Sequence, residues 1–136
     1  MRSIPLLIAG AVLASCTTAP PPPEAPTPRG MADYQRAVVG KVAQAPLECL
    51  PNYYSKNDMR TIDGRTVAFR VDSARSYIVH LTPGCELIGR GTYTLVSRQV
   101  GGMGLCRGDI QTVVDIPSRM TVGSCAIADI VPYYRP

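Results

Sequence analysis

The chain has 136 residues, 46% of them hydrophobic and 18% charged, with a formal net charge of +4. That composition describes one small domain with flanking segments and excludes a multidomain enzyme, a multi-span membrane protein and a wholly disordered chain. Its cations are scattered with no run of Lys or Arg, which argues against a nucleic-acid binder, whose positive charge tracks phosphates as a patch or stripe.

Residues 1–15 read as a secretory signal: Arg2 precedes an apolar run over 4–13, and Ala14 and Ser15 are the small residues at a cleavage point. About ten apolar residues fall well short of the ~20 that cross a bilayer as a helix. Leu13-Ala14-Ser15-Cys16 resembles the bacterial lipobox, in which the cysteine is acylated and becomes the first residue of the mature protein. The resemblance implies a lipid (palmitate-type) attachment at Cys16. Several acyl chains on one residue anchor stably, where a single chain holds only marginally. Thr17, in place of Asp, implies sorting to the outer membrane.

Residues 16–30 form the anchor and a linker with six prolines. Proline fixes φ and removes a backbone donor, so the segment is expected as extended polyproline II. At ~3.1 Å per residue, it reaches roughly 40 Å and spaces a domain over 31–136 from the membrane.

Residues 32–44 carry Tyr34, Ala37, Val38 and Val42 at helical spacing, which predicts a short helix ended by Pro46 and weakened by Gly40. Beyond Cys49 the period becomes two. Strands are expected over 59–63 and 65–71 about an Asp63-Gly64 turn, then over 76–81, 92–96, 109–116 and 120–126. Thr82-Pro83-Gly84 is a turn, and 101–104 is a Gly-rich connection. The fold class is α+β, mostly β: a short N-terminal helix followed by a small curved antiparallel sheet or barrel.

The domain holds Cys49, Cys85, Cys106 and Cys125, spaced by 36, 21 and 19 residues. Those gaps lack the close pairs of a zinc site. An even count in an exported domain implies two disulfides, with three connectivities open. The core has one Phe and no Trp, so such bridges would carry much of the stability.

Several landmarks together resemble a known family. Gly40-Lys41-Val42-Ala43 precedes Cys49, and Tyr77-Ile78-Val79 and Gly84-Cys85 follow. Leu105-Cys106-Arg107-Gly108-Asp109, Gly123-Ser124-Cys125 and Val131-Pro132-Tyr133 complete the set. Over roughly residues 37–134 the chain resembles small four-cysteine exported proteins of sphingomonad-like alphaproteobacteria, classed as a domain of unknown function. Ile130 departs from the pattern, where an aromatic is expected. Members of that family that lack the second and fourth cysteines together imply the pairs Cys49 with Cys106 and Cys85 with Cys125. The resemblance implies an envelope protein and supplies no activity.

Candidate chemistry is sparse. His80 is the only histidine and is expected on the outer face, opposite to Val79 and Leu81; a Ser–His–Asp or Cys–His site would have to use it. Arg107-Gly108-Asp109 reads as a turn, with the Asp bonding backbone donors two residues on. The Gly-rich stretch 101–104 lacks the Lys-Ser/Thr and helix of a phosphate loop. Asp109 and Asp115, six apart, are on the same face if the strand is regular, and paired carboxylates can carry out glycoside hydrolysis. The tyrosine pairs Tyr53-Tyr54 and Tyr133-Tyr134 suit a binding surface, with Tyr54, Tyr134 and Arg135 as the residues facing a partner.

The resulting expectation is a non-enzymatic outer-membrane lipoprotein whose domain faces the periplasm and acts as an accessory or interaction module. Its partners would be the membrane, through its N-terminal lipid, and an envelope protein or cell-wall component. No nucleic acid, metal or cofactor is expected. The competing reading is a periplasmic inhibitor or small-ligand or glycan-binding lipoprotein.

Overall fold

The computed structural model describes residues 25–51, 58–97 and 105–136. The signal segment, Cys16, Tyr53, Tyr54 and the Gly-rich stretch 101–104 lie outside the described residues.

The helix is α1, Pro28–Val38, displaced towards the N-terminus from the expected 32–44. Its start signal sits in what reads as linker. Thr27 is the N-cap, with its hydroxyl accepting from the Gly30 N–H at 3.0 Å, and Pro28 fills the first helical position, where a missing donor costs nothing. Its stop is Gly40, at φ +68, a left-handed position that glycine takes without strain. Val42 therefore leaves the helical face and joins the two-residue strand β1, Val42–Ala43.

Six further strands follow: β2 Met59–Asp63, β3 Thr66–Arg70, β4 Arg75–Leu81, β5 Tyr93–Ser97, β6 Ile110–Asp115 and β7 Thr121–Tyr134. They form one antiparallel sheet in the order β2-β3-β4-β7-β6-β5, curled into a half-barrel, with β1 beside the end of β7. The protein is mostly β. The 14-residue β7 is the spine and runs well past the expected 120–126. Its first half pairs with β6 and its second half with β4.

The concave side holds the main core. Val67 and Phe69 of β3, Tyr77 and Val79 of β4, Val113 of β6 and Ile127 and Ile130 of β7 are all buried there. Ile130, the departure from the expected aromatic, is fully enclosed. Helix α1 covers the convex side of β2-β3-β4. There Ala37 packs on Ile62, Ala68 and Ile78, with Tyr34, Val38 and Tyr133 around them. Gly30 permits this approach: a Cβ on it would lie 1.9 Å from the Ile62 carbonyl oxygen.

Two disulfides staple the sheet, Cys49–Cys106 and Cys85–Cys125. The first joins directly opposed residues of an isolated antiparallel bridge at the rim. The second is buried within the core and ties the segment after β4 to β7.

Candidate functional site

The most distinctive polar arrangement lies where α1 ends. The turn at Gly40 directs Lys41 back under the helix. Its ammonium donates to the Ala37 carbonyl at 2.7 Å and to Ser76 Oγ at 3.3 Å, and the buried Ser76 hydroxyl donates to the same carbonyl at 2.5 Å. A lysine is thus held at the carboxyl end of a helix, where the backbone dipole favours a cation.

Sheet register gathers more positive charge beside it. Arg70 of β3 is paired with Ser76 of β4, which is paired with Tyr133 of β7. Arg135 follows the end of β7 and donates its backbone N–H to the Ala74 carbonyl at 2.8 Å. Burial lowers the pKa of Lys41, and the charges of Arg70 and Arg135 lower it further, against an opposing pull from Asp72. That carboxylate is already committed. Its Oδ2 accepts from Arg75 Nε at 2.9 Å and Nη2 at 2.7 Å, and its Oδ1 accepts from the Ala74 and Arg75 backbone N–H groups. Among the described residues no carboxylate pairs with Arg70 or Arg135. A cavity of about 90 Å³ adjoins the cluster, lined by Arg36, Arg60 and Arg70 with Asp33 and Asp58. Arg36 is neutralised there by Asp33 at 2.8 Å.

Such a cluster has the chemistry to hold an anion. Guanidinium and ammonium donors suit carboxylate, phosphate or sulfate groups, and because the cations sit at the surface their attraction falls as salt rises. The sequence reading names Arg135 but not Lys41 or Arg70. No local pattern links the three; only the strand register and the turn at Gly40 bring them together.

The two tyrosines of the Tyr133-Tyr134 pair face opposite sides of β7, and both are half-buried. Tyr134 lies on the core side, its ring edge-on to Tyr77 at 6.2 Å between centroids and the two hydroxyls 3.5 Å apart. Tyr133 faces α1, its hydroxyl 3.4 Å from that of Tyr34. Burial and this hydroxyl pair push the pKa of Tyr133 up to about 12, the contact with Tyr34 being the larger cause. Both faces of β7 are covered here, so Tyr134, expected to face a partner, lies against the core instead. Arg135 is the outward group.

His80 is on the convex face as expected, half-exposed, with Nδ1 at 2.5 Å from Asp129 Oδ1. The two residues are directly opposed across β4 and β7. The sequence gives no hint of Asp129 as its partner, since 49 positions separate them.

Asp109 and Asp115 are not a pair. Asp109 precedes β6 and Asp115 ends it, a separation near 20 Å at ~3.3 Å per residue, whereas glycoside hydrolysis needs carboxylates within ~10 Å. Asp109 Oδ2 accepts from the Cys106 N–H at 2.8 Å, three residues back rather than two on. Gly108 takes φ +84 in the same turn. Arg107 is held by Glu48 at 3.0 Å and the Ala128 carbonyl at 3.2 Å, so Arg107-Gly108-Asp109 is a structural turn.

Among the described residues, no group of three or more His, Cys, Asp or Glu side chains is placed to hold a metal ion, and no helix is long and apolar enough to cross a membrane. A groove of about 280 Å³ lies where β5 curls towards β2 and β3, lined by Met59, Phe69, Leu95, Val96 and Leu105 with Thr94 and Ser97. Comparison with protein-family models, curated proteins and solved structures finds no match to the chain.

Proposed function

We propose that the protein is a lipid-anchored envelope lipoprotein that works by binding, as an accessory or interaction module. Cys16 carries the lipid, the outer membrane holds it and the domain faces the periplasm. On this reading α1 is the N-terminal helix of the domain, following a proline-rich spacer, and the half-barrel is the scaffold. Two disulfides support export, because such bonds persist in oxidising compartments.

The observation that carries the binding role is the Lys41, Arg70 and Arg135 cluster. Among the described residues neither arginine has a carboxylate partner, and their charges add to burial, the larger cause, in lowering the Lys41 pKa. An anionic partner offsets that charge. The partner is therefore an acidic surface of an envelope protein or an anionic cell-wall polymer.

The test is affinity enrichment of the lipidated protein from crosslinked cells, with Cys16→Ser and the double variant Arg70→Ala, Arg135→Ala beside it. One acidic partner should be enriched near one-to-one, lost without the lipid and depleted in the double variant. Equal recovery from the wild type and the double variant defeats the cationic-site reading.

The groove beside β5 favours the second reading, a small-ligand-binding or inhibitory lipoprotein. Its apolar lining suits a ligand, though it is smaller than the ~300 Å³ and above of most ligand pockets. Protection of groove amides by an added cell-wall fragment or lysozyme-like enzyme would favour this over the first.

A further inference from the structure

The exposed apolar side chains are concentrated in one half of the molecule. Val96 of β5, Ile110 of β6, Val122 of β7 and the turn residues Ile116 and Met120 are all exposed. Alternation assigns them. Leu95, Val113 and Cys125 point into the core, so their neighbours Val96, Val114 and Ser124 line the convex side. Register sets Val96 opposite Thr112, and Thr112 opposite Ser124. From Thr94 and Val96 through Thr112 and Val114 to Thr121 and Ser124, this face carries no charged side chain among the described residues. Helix α1 packs on β2, β3 and β4, and among the described residues no helix covers this half.

The turn between β6 and β7 is held firmly. Asp115 Oδ1 accepts from the Thr92 hydroxyl at 2.6 Å, and Oδ2 accepts from the Ser118 hydroxyl at 2.5 Å. The Asp115 N–H donates to the Met120 carbonyl at 2.9 Å, and the Arg119 N–H to the Asp115 carbonyl at 2.8 Å. With its polar groups paired internally, the turn presents Ile116 and Met120 at 60% and 65% exposure, with the exposed Arg119 between them. Apolar side chains beside a cation suit the boundary between phospholipid headgroups and acyl chains.

Chain geometry indicates which surface that is. The helix lies with its first turn towards this end of the molecule: Gly30 abuts Ile62, while Ala37 bonds Ser76 near the far end of β7. Ala25 and Thr27 line a cleft with Gly89 and Arg90. Two residues on, Thr92 bonds Asp115 and Ile116 of the turn. The described chain therefore starts, at Ala25, at the end the turn occupies, and the nine residue steps between Ala25 and Cys16 can reach at most about 30 Å.

We propose that the β6–β7 turn and the uncharged face behind it dock on an anionic phospholipid bilayer, the one that holds the Cys16 lipid. The docking rests on the lipoprotein reading above. Ile116 and Met120 enter the interface and Arg119 meets lipid phosphates. The Lys41, Arg70 and Arg135 cluster, at the opposite end of β7, then projects away from the membrane.

The chain has no Trp, so one introduced indole reports its own surroundings. Full-length lipidated Met120→Trp and Val39→Trp are placed in phosphatidylethanolamine–phosphatidylglycerol vesicles, with and without brominated acyl chains. Val39 is a fair control, being 68% exposed at the other end of α1. Met120→Trp should shift to the blue and be quenched several-fold more by brominated lipid than Val39→Trp. Equal quenching of the two, with Cys16 lipidated by mass spectrometry and the protein floating with vesicles, overturns the docking and leaves the anchor standing. An unlipidated Cys16 overturns the anchor, and the docking with it. A dimer in detergent that Val96→Asp dissociates overturns the docking too, by assigning the face to a second copy.

Discussion

The two halves of β7 differ in what lies on their convex side. From Ile127 to Tyr134 the strand pairs with β4 in a part of the sheet that carries α1 on one face and the core on the other. From Thr121 to Ala126 it pairs with β6, where only the concave face is packed. Burial follows. In β4, Ser76, Tyr77, Ile78 and Val79 are buried in succession, whereas in β6 buried Gln111 and Val113 alternate with more exposed Ile110, Thr112 and Val114. The lesson is that a strand's composition reports what covers it: two covers give a continuous buried run, one gives alternation. The uncovered half breaks the usual polar-out pattern by using Val, Ile and Thr, and this makes its bare face a candidate surface.

Disulfides give the largest effects. Closing loops of 40 and 57 residues contributes about 4 kcal/mol for each bridge by loop entropy alone. Replacing both Cys85 and Cys125 with Ala should cost more than replacing Cys49 and Cys106, because the first pair is buried in the core and its loss also leaves a cavity. Urea midpoints of the two double variants check this. Equal losses would mean that burial adds nothing to loop closure here, and that the bare half is no more dependent on its staple than the rim.

Next come truncations in matched strand positions. Ile78→Ala removes a side chain enclosed between α1 and the sheet and should cost about 3 kcal/mol. Val114→Ala, on the bare convex face, should cost under about 1 kcal/mol. Thermal unfolding of both variants measures the gap. If Val114→Ala proves as costly as Ile78→Ala, the face is already covered in the free protein, and the asymmetry of the two halves fails.

The same asymmetry explains what the sequence discloses. Strand β6 was legible because alternation survives on a one-sided surface, and β2 because the Asp63-Gly64 turn marks its end. The helix position was not, because its start lies in a Thr27-Pro28 pair that composition assigns to the linker, and its stop is a glycine that reads as a mid-helix weakness. The full length of β7 was missed because Asp129, Pro132 and the tyrosines after it break any simple period, each facing a different neighbour. Spacing left three disulfide pairings open, and only the family resemblance narrowed them. The cationic cluster was half visible, through Arg135, since long-range register brings Arg70 and Lys41 to it.

The smallest effect probes the covered half through one hydroxyl. Tyr133 holds its proton up to about pH 12, mainly through the hydroxyl of Tyr34. An acid whose pKa is higher folded than unfolded stabilises the fold below its unfolded value, near 10, and loses that contribution as pH rises through its folded value. Tyr34→Phe should therefore cost about 1 kcal/mol near neutrality, the worth of one hydrogen bond. It should also bring one tyrosinate absorbance transition down towards the ordinary range. The pH dependence separates this bond from packing, since the ring that covers Ile78 and Ala68 is kept. A variant that titrates like the wild type would mean that the Tyr34 hydroxyl does not fasten the helix, which the Ser76 and Lys41 bonds to Ala37 and apolar contact would then hold. The polar fastening of the covered half would then lie wholly at the end of α1.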